Sequence, residues 1–113
     1  LMMGNEIATA IQYNVNLIMI IADNSMYGTI GMHSYVRYPD KPFMEGTKLT
    51  NPDFAAWARS FGAEGIRIRD ETEVAENIEA AFNIDGKPVV VHCHTSALQM
   101  SAWRKYERSE TLI

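Results

Sequence analysis

Apolar residues in this chain gather into three short runs and several helix-spaced stripes, with polar turns between them. The longest run, residues 17–22, is strand-sized, and a strand over 16–22 shows no polar alternation. Such a strand is expected to be covered on both faces, as in a parallel sheet. Residues 65–68 read as a short strand and 88–93 as a second buried one. Between the runs the spacing turns helical. Residues 5–13 predict a helix whose small Ala8, Thr9 and Ala10 allow close packing, with Asn14 as its stop. A short helix is expected from Thr29 to about Tyr35, then a loop over 38–49 carrying Pro39, Pro42 and Gly46.

Asn51-Pro52-Asp53 is a helix start: a capping side chain, a proline in the first turn, then an acid facing the dipole. Phe54, Trp57, Ala58 and Phe61 follow at i, i+3, i+4 and i+7 as an inward stripe, and Gly62 ends the helix. A further helix over 72–82 should turn Val74, Ile78, Ala81 and Phe82 inward. Asp70, Glu71, Glu73, Glu76 and Glu79 then form a solvated face. Asp85-Gly86 turns the chain into the last strand. The alternation of helix and strand specifies an α/β domain, a parallel sheet flanked by helices. Three strands make a thin sheet.

The bulk properties narrow the class. A chain of 113 residues with 47% apolar and 21% charged positions suits one globular domain. A net charge of −4 without a basic cluster argues against nucleic acid as a partner. No apolar run reaches bilayer-spanning length, so no membrane role is expected. The opening LMMGNEIATA lacks the basic start of a signal peptide. A single cysteine, Cys93, cannot pair within the chain, which fits the cytoplasm.

Candidate chemistry centres on the end of the first apolar run. The run stops at Asp23-Asn24, and Gly28 follows. A strand that ends in oxygen donors and then a glycine-containing turn suits a hard cation and a phosphate. The plainer alternative is a strand end whose side chains cap their own turn. His92 and His94 lie two apart on a strand and share a face, but two ligands are too few for a closed metal site, so they read as a polar strand end. Cys93 faces the opposite side and is expected to be buried. In the segment 96–113, Leu98, Trp103 and Tyr106 are loosely spaced as one helical face, a tail or docking helix.

GNEIATAIQYN before the first strand, MYGTIGMH after it and LTNPDFAAWARSFGAEGIRI further on resemble the C-terminal, pyrophosphate-binding domain of thiamine diphosphate-dependent enzymes. The acetolactate synthase, benzaldehyde lyase and glyoxylate carboligase branch is the most similar. The family signature is a Gly-Asp-Gly, a spacer, and a pair of asparagines. Asp23-Asn24 stands for the closing pair, and the opening Gly-Asp-Gly would fall just before Leu1. The resemblance therefore implies an N-terminally truncated chain: residues 1–95 as a partial thiamine diphosphate-binding fold lacking its first strands.

It also implies a site. The Asn24 side-chain oxygen and the Met26 backbone carbonyl would ligate Mg²⁺. Tyr27, Gly28 and Thr29 would face the diphosphate, and Gly4 and Asn5 would lie near the cofactor. Asp23 is expected to hydrogen-bond nearby, and Glu6 to face the helix dipole. Gly31 stands where relatives often carry Arg, a departure in the helix that also bears His33. No catalytic residue is expected in this chain, because the family's activating glutamate belongs to a pyrimidine-binding domain of a neighbouring subunit.

The implied function is the cofactor- and Mg-anchoring part of a 2-keto acid carboligase or decarboxylase. The chain alone should be inactive, and a homo-oligomer is expected. The alternative is a non-catalytic remnant that folds and self-associates through a sheet edge without binding cofactor. A third reading, an unrelated phosphate-binding α/β domain, has no need of the NPDFAAWARSFGA helix.

Overall fold

A computed structural model describes residues 4–101 and 104–105. In chain order the elements are α1 (Glu6–Gln12), β1 (Ile18–Asp23), α2 (Gly28–Arg37), α3 (Phe54–Ser60), β2 (Glu64–Ile68), a 3₁₀ turn (Glu71–Glu73), α4 (Val74–Phe82), β3 (Val89–His94), β4 (Gln99–Ser101) and β5 (Arg104–Lys105). They form two compact units. One holds the described residues up to Ala22 together with Pro52–His94; the other holds Asp23–Asn51 and the described residues from Thr95 onward.

The first unit is an α/β layer around a parallel sheet of order β1-β3-β2. β2 and β3 pair in parallel with Arg67 opposite His92 and Ile68 opposite Cys93. Side chains alternate across a strand, so β3 serves two cores. Val90 joins Ile7, Ala58 and Ala63, with Met19, Ile21, Trp57 and Phe61 packed around them. Val89 and Val91 join Ile68 and Ala81, flanked by Ile66, Ile78, Ile84 and Cys93. α3 presses closest to the sheet: a Cβ on Gly65 would sit 2.1 Å from the Ala55 carbonyl oxygen. Asn14 (φ 50°) stops α1, and Gly62 (φ 90°) follows α3, both left-handed as helix ends favour.

Several expectations change. The first strand begins at Ile18, and its two faces are not both covered: Ile20 is 60% exposed and Ala22 is exposed as well. β1 is an edge strand, and α4 packs over β2 and β3 instead. The cap of α3 is Asp53, not Asn51. Its carboxylate accepts the N–H groups of Ala55 and Ala56 at 2.9 and 3.0 Å, so Pro52 precedes the cap. Ala55, outside the expected stripe, is fully buried, whereas Trp57 is half-buried.

Val74 and Phe82, expected inward, are exposed. α4 lies over β2 and β3, and the two side chains at its ends stay in solvent. Ile78 and Ala81 carry the packing instead. Cys93 is half-buried, and desolvation pushes its thiol above the ordinary value. The acidic residues of 70–79 are exposed, as expected.

In the second unit, α2 spans ten residues, longer than its sequence pattern predicts, and contacts β4. β4 and β5 pair antiparallel, so the described part of 96–113 forms a ribbon and not a helix. Trp103 and Tyr106 of the expected helical face lie outside the described residues. Among the described residues no helix is long and apolar enough to cross a membrane.

Candidate functional site

The candidate residues Asn24, Met26, Tyr27, Gly28 and Thr29 come together in the second unit, where β1 gives way to α2. Asp23 is 6% exposed and anchors the turn. Its Oδ1 accepts hydrogen bonds from the Ser25 N–H at 2.7 Å, the Ser25 hydroxyl at 3.3 Å and the Asn51 amide at 2.8 Å. Its backbone carbonyl accepts from the Thr95 N–H at 2.8 Å. Ser25 has φ 54°, the left-handed region that side-chain-bearing residues seldom adopt. The Asx-type bonds from Asp23 are what an Asp contributes to such a turn.

Beyond the turn, the chain pairs with the far end of the 38–51 loop. Met26 and Lys48 form an antiparallel bridge, flanked by Tyr27 N–H to Thr47 carbonyl at 2.7 Å and Leu49 N–H to Ser25 carbonyl at 2.8 Å. Met26 thus occupies a non-hydrogen-bonded position, and its own N–H and C=O point away from Lys48. The N–H goes to Asn24 Oδ1 at 3.2 Å. The Met26 carbonyl receives no hydrogen bond from a described residue. Asn24 Oδ1 and the Met26 carbonyl therefore lie on the same edge. Both are hard, neutral oxygens, and Asn24 Oδ1 keeps a second lone pair. The Asn24–Met26 bond also gives that side chain a turn-capping role.

Gly28 opens α2 with Tyr27 at the N-cap, whose own side chain makes no cap bond. A Cβ at position 28 would lie 2.9 Å from Asn24 Nδ2. Tyr27 and Thr29 are exposed, and Gly31 is buried. A cavity of about 350 Å³ adjoins this segment, lined by Asn24, Ser25, Met26, Met44, Thr47 and Lys48 among others.

Gly4 and Asn5 belong to the first unit. Asn5 is the N-cap of α1 and makes no side-chain cap bond; its carbonyl accepts from the Ala8 N–H at 3.0 Å. Glu6 lies in the first turn of that helix, as the dipole argument expects.

The first unit also carries a polar cluster at the C-terminal ends of β2 and β3. His92, read from sequence as a polar strand end, is buried at 1% exposure, and its Nδ1 accepts the Phe54 N–H at 3.3 Å. The start of α3 lies over it, which is why a histidine is tolerated there. Arg67 donates from Nε to His94 Nε2 at 2.9 Å and pairs with Asp53 at 3.1 Å. The Ala56 N–H, then the Arg67 charge and the Ala55 N–H, hold the Asp53 carboxyl below its ordinary value against the cost of burial. Arg67 and Asn51 are the residues that sequence reasoning missed. Arg67 could have been found from its register opposite His92. Asn51 was hidden by its likeness to a helix cap.

Residues 1–93 match the family model described as thiamine pyrophosphate enzyme, C-terminal TPP binding domain. The chain belongs to that family. Among relatives, a putative thiamine pyrophosphate-containing protein of Bacillus subtilis is 33% identical over 90 residues, which cover 80% of this chain and 15% of that protein. The mitochondrial acetolactate synthase catalytic subunit of Aspergillus candidus is 30% identical over 81 residues, 72% of this chain and 11% of the relative. Benzoylformate decarboxylase of Pseudomonas aeruginosa is 29% identical over 92 residues, 80% of this chain and 17% of the relative. The chain thus spans less than a fifth of the length of each of these family members.

Proposed function

We propose that this chain is the thiamine diphosphate- and Mg²⁺-anchoring part of a 2-keto acid carboligase or decarboxylase of the acetolactate synthase type. The observation that carries the reading is the shared edge of Asn24 Oδ1 and the Met26 carbonyl, beside the start of a ten-residue helix. The donor set suits Mg²⁺, which takes oxygen ligands and completes its shell with phosphate oxygens and water. The absence of a Cβ at Gly28 suits close approach of a diphosphate to backbone N–H groups.

Asn24 and Met26 would hold the metal. The backbone N–H groups at Tyr27 to Thr29, with the Thr29 hydroxyl, would take the diphosphate. Thiamine diphosphate, when bound, supplies the carbanion chemistry on a 2-keto acid, and the protein supplies binding and orientation. No residue of this chain is assigned an acid-base role. The activating acid would come from a pyrimidine-binding domain or a second subunit, so the chain alone would be inactive. A cytoplasmic setting agrees with the one unpaired thiol, Cys93.

One observation favours the alternative, a non-catalytic domain that self-associates without cofactor. β1 is an edge strand of the described sheet with Ile20 exposed, as is Leu17 just before it, and a groove of about 580 Å³ beside it is lined by Phe82, Ile78 and Ile84. Calorimetric titration of thiamine diphosphate with and without Mg²⁺ separates the two. Mg²⁺-dependent binding that Asn24→Ala abolishes supports the first reading, and the absence of any binding supports the second.

A further inference from the structure

The antiparallel pairing behind the metal-binding candidates does not end at the backbone. Tyr27 bonds to Thr47, and Ser25 bonds to Leu49. At the next rung in the same register, Asp23 faces Asn51, and there the link is made by side chains: Asn51 Nδ2 donates to Asp23 Oδ1 at 2.8 Å. The same carboxylate oxygen takes the Ser25 N–H and hydroxyl. One buried oxygen therefore ties the far end of the loop to the left-handed residue between Asn24 and Met26.

We propose that Asn51 is a positioning residue for the Asn24–Met26 oxygen pair. It acts through Asp23, whose carboxylate holds Ser25 at φ 54°. The torsions of Ser25 fix the direction of Met26 relative to Asn24, and so the spacing of the two oxygens. Loss of the Asn51 amide removes one of the bonds that orient the Asp23 carboxylate, and so loosens its hold on Ser25 in the left-handed region. The inference rests on the cofactor reading above, and it adds a residue that the strand-end motif does not contain.

The two group II cations provide the test. Mg²⁺ demands near-ideal octahedral geometry with short bonds, whereas Ca²⁺ accepts irregular shells at longer distance. Partners that orient metal ligands contribute about 10- to 100-fold to metal affinity. Thiamine diphosphate binding would be titrated with each cation in the full-length protein, and amide exchange followed in parallel. Asn51→Ala should weaken Mg²⁺-supported binding by about tenfold or more and Ca²⁺-supported binding much less. The Ser25 and Met26 amides should exchange faster, while those of Val90 and Val91 stay protected, which shows that the fold is intact. Ser25→Ala, which removes only the 3.3 Å hydroxyl contact, should move the same ratio in the same direction by less.

Equal losses for both cations would make Asn51 merely structural and overturn the inference. So would wild-type Mg²⁺ affinity in Asn51→Ala. If Asn24→Ala loses binding and Asn51→Ala does not, the positioning role falls while the cofactor reading stands. No Mg²⁺-dependent binding by the unaltered protein would overturn both.

Discussion

Gly28 sits against the carboxamide of Asn24: a methyl group at position 28 would lie 2.9 Å from Asn24 Nδ2. The two residues are joined by the turn that carries Met26. Gly28→Ala should therefore displace the Asn24 side chain without harming the fold, because the crowded atom is the end of a flexible chain and alanine favours helices over glycine. Mg²⁺-supported thiamine diphosphate binding should weaken by about tenfold, with thermal stability unchanged or slightly raised. Wild-type affinity would mean that Asn24 does not need its present position.

Gly65→Ala should behave in the opposite way. A Cβ there meets the Ala55 carbonyl oxygen at 2.1 Å, and backbone cannot yield as a side chain does. α3 would have to move off β2, at a cost of about 3 kcal/mol or more. A denaturant midpoint close to wild type would show that α3 does not pack as closely as described.

Trp57→Ala should cost about 2 kcal/mol, less than the 3–5 typical of a fully buried aromatic. Trp57 is half-buried, and its ring meets Phe61 edge-on at 5.3 Å between centroids. Denaturant melts decide: a loss below about 0.5 kcal/mol would place the ring outside the core, and one above about 4 would make it fully buried.

Asp53 gives a pH signature. Its carboxyl is held below the ordinary value of 3.8, first by the Ala56 N–H, with help from Arg67. A depressed folded-state value means that the ionised form contributes stability above the unfolded value and loses it as pH falls through the folded one. Asp53→Ala should cost about 1 kcal/mol at neutral pH, the usual loss of a helix cap. The gap from wild type should close as pH falls below 3.8. A gap that stays constant down to strong acid would contradict this.

The exposed edge of β1 should make the chain self-associate. Ile20 is 60% exposed on a strand with one neighbour among the described residues, and a sheet edge of this kind favours pairing with another copy. Sedimentation at micromolar concentration should show dimers that Ile20→Lys shifts toward monomer. A monodisperse wild-type monomer would contradict the expectation.

The elements were legible because each carries a local signal. Phe54 and Ala58 repeat at helical spacing, and Val89 to Val91 form an unbroken β-branched run with Gly86 (φ 76°) turning the chain ahead of it. What escaped the pattern depends on neighbours. Phe82 is apolar and in phase, yet 74% exposed, because α4 lies over β2 and β3 and no described element covers it. Ala55 lies off the helical stripe, and it is buried because Gly65 on another element admits it. At the candidate site, Asp23, Asn24 and Gly28 stood out through the abrupt end of an apolar run. Asn51 did not. It lies 28 residues from its partner Asp23, and a preceding-proline context made it look like a helix cap. Ser25 carries no mark of its left-handed backbone, which its neighbour's carboxylate imposes.

The central claim is that Asn24 and Met26 anchor a metal-bound diphosphate, and calorimetric titration of thiamine diphosphate into the full-length protein tests it most directly. The account predicts binding in Mg²⁺, none after chelation, and none in Asn24→Ala at wild-type stability. Equal binding with and without Mg²⁺, or undiminished Mg²⁺-dependent affinity in Asn24→Ala, would contradict it.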